Sequence, residues 1–198
     1  MNGILLIQTG GTIDSEPYED PKNPPNNVQT LKGEDSLIQG VLQNMGLLDR
    51  VTRYSWIGDQ EDRLNKDSKE FSENDISELA EIIKADENES VIITHGTDFM
   101  VKNAKILQEI IGQTDKKIIF VGSMVPLSMH GKNNSDAIPA LKYAIENIEH
   151  AENGINLVGI SRFGTQLQFF NPNEVEKDFA KSKENLALTF ETKKAFAR

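Results

Sequence analysis

The chain has 198 residues, 37% of them hydrophobic and 26% charged, with a formal net charge of -10 and a pI near 4.8. That length suits one domain with room for a sizeable core, and such acidity leaves no basic face for nucleic acid or anionic membranes. The absence of cysteine excludes disulfides and thiolate metal sites. No stretch approaches the roughly eighteen apolar residues of a transmembrane helix. The apolar run at 4–7 is too short for a signal peptide and has no basic residues before it. A soluble, cytoplasmic protein is the expectation.

The first predicted strand is the apolar run at 4–8, which stops at Thr9-Gly10-Gly11-Thr12. Residues 15–30 are polar and carry Pro17, Pro21, Pro24 and Pro25 among Asp20, Asn23, Asn26 and Asn27. They read as a long loop of the kind that serves as a lid. Leu37, Ile38, Val41 and Leu42 predict a helix over 34–44, and a second strand is expected at 51–57. A polar stretch without clean period follows at 58–71. Ser72 then opens a helix, with Asp75 three residues on approximating a capping box and Ile76, Leu79, Ala80, Ile82 and Ile83 as its apolar face.

The next strand, 91–94, runs into Thr94-His95-Gly96-Thr97-Asp98 and is followed by a helix over 100–111. A strand at 118–121 ends at Gly122-Ser123. A loop at 124–134, containing Pro126 and Gly131, leads to a helix from Ser135 or Asp136 to 149. A strand is expected at 155–161. Beyond residue 166 only a turn at Asn171-Pro172-Asn173 and a short strand at 187–190 are readable. Strands alternating with helices predict an α/β fold, a doubly wound, mostly parallel sheet flanked by helices. Right-handed crossovers would set the strand-end turns on one edge, where ligands bind in such sheets.

The two hydroxyl-rich turns at that edge are the candidate site. Gly10 and Gly11 permit backbone conformations closed to other residues and allow a ligand close to the main chain. This serves a phosphate cradle, an exposed nucleophile or a plain tight turn equally well. Neither a P-loop nor a G-x-G-x-x-G pattern is present. Thr97-Asp98 adds a hydroxyl beside a carboxylate. A hydroxyl nucleophile needs an activating base and donors for a tetrahedral oxyanion, while Asp98 could equally cap the helix near Met100. His95 could act as a base or serve structurally. His130 and His150 are isolated, so neither metal nor cofactor is expected.

Thr9-Gly10-Gly11-Thr12-Ile13 and His95-Gly96-Thr97-Asp98 resemble the two signature motifs of bacterial-type L-asparaginases. Val121-Gly122-Ser123-Met124 resembles that family's third strand-end turn. Phe170-Asn171-Pro172-Asn173-Glu174-Val175-Glu176-Lys177 resembles the region bearing its catalytic lysine. The matching stretches follow family order across most of the chain. The resemblance implies an asparaginase N-terminal-type, flavodoxin-like domain that converts L-asparagine to L-aspartate and ammonia.

By resemblance, Thr12 is the nucleophile and forms an acyl-enzyme. Thr97, Asp98 and Lys177 form the second catalytic group, with Lys177 acting on the Thr97 hydroxyl. Tyr18 matches a lid tyrosine that helps activate the nucleophile. Asp98 also suits the substrate α-ammonium, and Lys66-Asp67-Ser68 resembles the segment holding its α-carboxylate, with Ser68 the contact. Gly11 and Gly96 line the substrate site, and the main-chain carbonyl of Ser123 would face the leaving amide. His95 is implied to be mainly structural and Phe99 to pack. Many members place Gln after the serine; here it is Lys69, which could pair with the substrate α-carboxylate or point to solvent, and which bears on substrate preference, including any glutaminase side activity.

Two other readings remain: a relaxed small-amide amidase or glutaminase, and a non-catalytic amino-acid-binding module. Subunits that act on charged tRNA share these motifs, but their extra domain and the acidity of this chain set that reading aside. Ordinary members are longer by a smaller C-terminal domain. Residues 1–198 are thus expected to be a single-domain short form, with a truncated chain as the rival explanation. A homodimer or higher homo-oligomer is implied.

Overall fold

Five strands, each five or six residues long, form the centre of the molecule; four are largely apolar runs, and the edge strand over Val51–Trp56 is mixed, with Thr52 and Arg53 exposed. The computed structural model describes residues 3–17, 28–30, 36–56, 67–123, 125–127, 135–158 and 167–175. The strands are β1 (Ile4–Gln8), β4 (Val51–Trp56), β5 (Ser90–Thr94), β6 (Lys117–Val121) and β7 (Gly154–Val158). They lie side by side in the order β4-β1-β5-β6-β7, and every neighbouring pair is parallel. A strand between two neighbours, with helices on both faces, must be apolar throughout. All five residues of β1 are buried, as are the last four of β5, β6 and β7.

The pleat divides these strands between two cores. Ile4, Leu6, Ile92, Ile119, Val121 and Val158 face one side. There they meet α1 (Ile38–Asn44) and α4 (Ala137–Asn147), the latter through Ala137, Ala140, Leu141, Ala144 and Ile145. Leu5, Ile7, Val91, Ile93, Ile118, Phe120, Ile155 and Leu157 face the other side. They pack against α2 (Glu73–Ala85) and α3 (Met100–Ile111). The predicted doubly wound sheet is therefore present, in the flavodoxin-like order.

One crossover departs from the expected handedness. The steps β5 to β6 and β6 to β7 run the same way across the sheet, yet α3 and α4 cover opposite faces. These two connections have opposite hands. The step through α1 runs the other way and uses the other face, so it and the steps through α2 and α3 share one hand. Right-handed connections make up about 98% of such units, which identifies β6–α4–β7 as left-handed. The strand-end turns still share an edge because all five strands are parallel.

Local signals otherwise carry through. Ser72 and Asp75 form the full capping box of α2. The helix predicted to reach 149 ends at Asn147 and tightens into a 3-10 turn, Ile148–His150. α1 is seen from Ile38, and residues 31–35 lie outside the described residues.

The 15–30 stretch differs from a plain loop. Its two ends pair antiparallel as β2 (Ser15–Pro17) and β3 (Val28–Thr30). Main-chain pairing places little demand on side chains, so a polar, proline-marked segment conceals it. Residues 18–27, between the two strands, lie outside the described residues. Near the other end of the chain, Phe170 and Leu157 exchange both main-chain hydrogen bonds. The turn expected at Asn171 is a single helical turn over 172–175, with the Asn171 side chain accepting the Asn173 amide at 2.9 Å and Pro172 in the first position. The strand expected at 187–190 and most of the 124–134 loop lie outside the described residues.

Candidate active site

β1 leads to β4 on one side and β5 leads to β6 on the other, so the connections diverge between β1 and β5. This divergence opens a crevice beyond the strand ends. The turns after β1 and β5 meet there. Gly10 and Gly11 have φ of 95° and 81°, a region favouring glycine. A Cβ on Gly11 would lie 2.2 Å from the Gly96 amide nitrogen and 2.4 Å from the Gly96 Cα. Only glycine lets these two main chains approach so closely. A Cβ on Gly96 would lie 2.8 Å from Ser68 Oγ, and one on Gly122 would lie 2.7 Å from Thr97 Cγ2. Four segments are thus stacked: both signature turns, the Ser68 turn and the turn after β6.

Hydrogen bonds hold the stack in register. The Thr9 hydroxyl donates to the Thr94 carbonyl at 2.6 Å, and the His95 amide donates to the Val121 carbonyl at 2.9 Å. Thr12 is half-buried and opens a 3-10 turn, Thr12–Asp14. The Ser15 hydroxyl donates to its carbonyl at 2.9 Å, and the Asp14 amide donates to the Gly11 carbonyl at 3.2 Å. Asp14 is fully buried and accepts the Leu37 amide at 3.1 Å, tying this turn to the approach to α1. Burial raises its pKa above the usual carboxylate value, and bonds from Ser36 and Leu37 oppose that shift.

Ser68 is buried in a 3-10 turn, Ser68–Glu70, which Asp67 and Glu70 close with a capping box. Its Oγ accepts the Phe99 amide at 3.2 Å, and its carbonyl accepts Asn103 Nδ2 at 3.0 Å. Thr97 is half-buried and Asp98 is exposed. Asp98 does not cap α3: the N-cap position belongs to Phe99, with no side-chain capping bond. Its carboxylate instead meets Lys69 Nζ at 2.5 Å. The hydrogen bond that Lys69 donates to Asp98, then the charges of Asp98 and Asp67, hold the Lys69 pKa above its ordinary value. Phe99 is half-buried, with Lys102 Nζ 5.1 Å from its ring centre.

Ser123 is buried, and its hydroxyl donates to the Val125 carbonyl at 3.2 Å rather than into the crevice. Gly11, Gly96, Thr97, Asp98 and the Asp67-Ser68 segment are thus gathered at one place, with Ser123 on the adjoining turn. Tyr18, Lys66 and Lys177 lie outside the described residues.

His95 is fully buried between Phe71 and Phe120, at ring-centre distances of 4.9 and 5.4 Å. Its Nδ1 lies 2.8 Å from the Gly96 carbonyl and its Nε2 lies 3.2 Å from Asn103 Nδ2. These partners assign the proton to Nδ1, which donates, while Nε2 accepts from the amide. Burial lowers the pKa to about 4, although the Gly96 bond and the Asp67 charge oppose the shift. Both nitrogens are engaged and the ring is neutral at neutral pH, so His95 is structural.

This arrangement makes stability depend on pH. Below about pH 6.5 the unfolded chain takes up a proton at His95 that the folded chain refuses until about pH 4. Stability should therefore fall as pH drops through this window, by roughly 3 kcal/mol in all from this residue. Urea unfolding at pH 7, 6, 5 and 4.5 measures the slope. His95→Gln should lower stability at pH 7 and flatten that slope; an unchanged slope would refute the assignment.

A family model described as Asparaginase, N-terminal, matches residues 3–182. The chain belongs to this family. It is 32% identical over 155 residues to the glutaminase-asparaginase of Acinetobacter glutaminasificans, covering 71% of this chain and 41% of that protein. Its fold is similar to that of L-asparaginase I from Vibrio cholerae O1. The TM-score is 0.60 at 22% identity, over 87% of this chain and 47% of the other. It is also similar to the probable cytoplasmic L-asparaginase of Campylobacter jejuni, with a TM-score of 0.58 at 25% identity, over 79% and 45%. The chain spans less than half the length of each of these relatives.

Two contributors to this asparaginase-family site escaped sequence reasoning. Asn103 joins His95 to the Ser68 carbonyl. Its only signal was an amide beside Met100, Ala104 and Leu107 on the buried side of α3. The Lys69–Asp98 pairing joins residues 29 positions apart in sequence, and no local pattern selects it over solvent.

Proposed function

We propose that this asparaginase-family chain hydrolyses L-asparagine to L-aspartate and ammonia, with Thr12 as nucleophile. The observation that carries this reading is the contact of Gly11 with Gly96, which puts Thr12 and Thr97 one residue beyond the contact on each of two apposed turns. In the proposed reaction Thr12 Oγ attacks the side-chain amide carbon and gives up its proton. The tetrahedral intermediate expels ammonia as the C–N bond breaks and leaves an ester on Thr12. Water then attacks the ester, releases aspartate and restores the hydroxyl. Turn amides serve the oxyanion.

Lys177 acts with Thr97 and Asp98 in proton transfer, and Tyr18 assists Thr12. Asp98 receives the substrate α-ammonium as a charged hydrogen-bond acceptor. Ser68, in the Asp67-Ser68 segment, receives the α-carboxylate. Its Oγ already accepts the Phe99 amide, which leaves the hydroxyl proton to donate. The Ser123 carbonyl faces the leaving amide.

A second reading, relaxed hydrolysis of glutamine, is favoured by the relative described as a glutaminase-asparaginase. Ammonia release from L-asparagine and L-glutamine by the 198-residue chain separates the two. Faster turnover of asparagine is expected, and equal rates support the relaxed enzyme. A folded protein that binds aspartate without turnover would be an amino-acid-binding module. Among the described residues no helix is long and apolar enough to cross a membrane. A cytoplasmic homo-oligomer acting on a small amide, without cofactor, completes the proposal.

A further inference from the structure

Lys69 is placed by a rigid turn. Asp67 Oδ1 accepts the Lys69 amide at 3.0 Å, and Glu70 Oε2 accepts the Asp67 amide at 3.3 Å. The buried Ser68 locks that turn to Gly96 and to the start of α3 through its contacts with Phe99 and Asn103. Lys69 thus projects from one wall of the crevice and Asp98 from the facing turn, and their charges meet at 2.5 Å. The pair is open to solvent, with side-chain exposures of 57% and 51%. Exposed pairs of this kind exchange partners at small cost, so a ligand can displace the lysine.

We propose that Lys69 is a specificity-determining residue: a tethered ammonium that neutralises Asp98 in the empty site and makes the α-ammonium of a ligand dispensable. The inference rests on the assignment of Asp98 to that ammonium. With Lys69 in place, a ligand carrying a carboxylate but no amine does not leave Asp98 unpaired beside its own negative charge. A ligand with an amine must displace Lys69, which reduces the advantage of having one. The site therefore takes des-amino ω-amides such as succinamate, and their dicarboxylate products, alongside α-amino acids.

L-Aspartate and succinate differ only in the α-ammonium, so their affinities isolate the effect. Calorimetric titration of both into the 198-residue chain, and into Lys69→Gln and Lys69→Arg, is the test. Wild type and Lys69→Arg are expected to favour aspartate only modestly. Lys69→Gln should widen the preference about three- to fivefold, since aspartate no longer competes with a lysine and succinate now faces an uncompensated Asp98. Aspartate binding with the same ratio in wild type and Lys69→Gln overturns the inference and leaves the proposed function standing. Failure of both ligands to bind any of the three folded proteins overturns the assignment of Asp98 and the inference together.

Discussion

Thr12→Ala is expected to lower ammonia release from L-asparagine on the order of 10⁴-fold or more, because removing a nucleophile leaves only binding and oxyanion stabilisation. The variant should fold normally. The turn around Thr12 is held by the Ser15 hydroxyl on the Thr12 carbonyl and by the Asp14 amide on the Gly11 carbonyl, and alanine keeps every one of those atoms. Thr12 is also only half-buried, so its truncation opens no large core cavity. Loss of turnover with an unchanged melting temperature would assign the hydroxyl to chemistry. Thr12→Ser, which restores a hydroxyl, should recover part of the rate. A Thr12→Ala chain that turned over at the wild-type rate would remove Thr12 from the mechanism.

Gly11→Ala should be strongly destabilising. Two penalties coincide. At φ of 81° and ψ of -177°, a region essentially confined to glycine, a side chain costs about 1–3 kcal/mol, and overpacking adds about 1–3 kcal/mol. The added Cβ would meet Gly96 N, Gly96 Cα and His95 C at 2.2, 2.4 and 2.8 Å. All three are main-chain atoms of the β5 turn, and none can rotate away. Together they predict a loss of about 2–6 kcal/mol. Gly46→Ala separates the two terms, because Gly46 has φ of 68° and nothing within 4 Å of an added Cβ. It should cost about 1 kcal/mol. Equal destabilisation of the two variants in chemical unfolding would show that the turns are not held in contact.

Much of this architecture is legible locally. The runs at 4–7 and 118–121 are apolar at every position because both sheet faces are covered. The Ser72 capping box and the α3 boundaries depend on residues within one helical turn of each other. The glycine-marked turns were visible for the same reason. By contrast, Asp98 reads equally well as a helix cap in the sequence, and only the structure shows Phe99 in the N-cap position of α3 with no side-chain capping bond. The ends of 15–30 read as loop because their pairing is carried by the main chain. His95 read as base or scaffold until its burial and both its partners were known.

The sequence alone determined the main strands and helices, the edge carrying the candidate site and the family motifs, because periodicity, capping and turn stereochemistry act between near neighbours. Only the tertiary structure decided which turns touch, the left-handed crossover through α4, and the partners of Lys69 and His95. Those depend on strand order and on contacts between residues remote in sequence, such as the 85 positions separating Thr9 from Thr94. No local preference encodes such distances, so the packing of both cores against the sheet selects them.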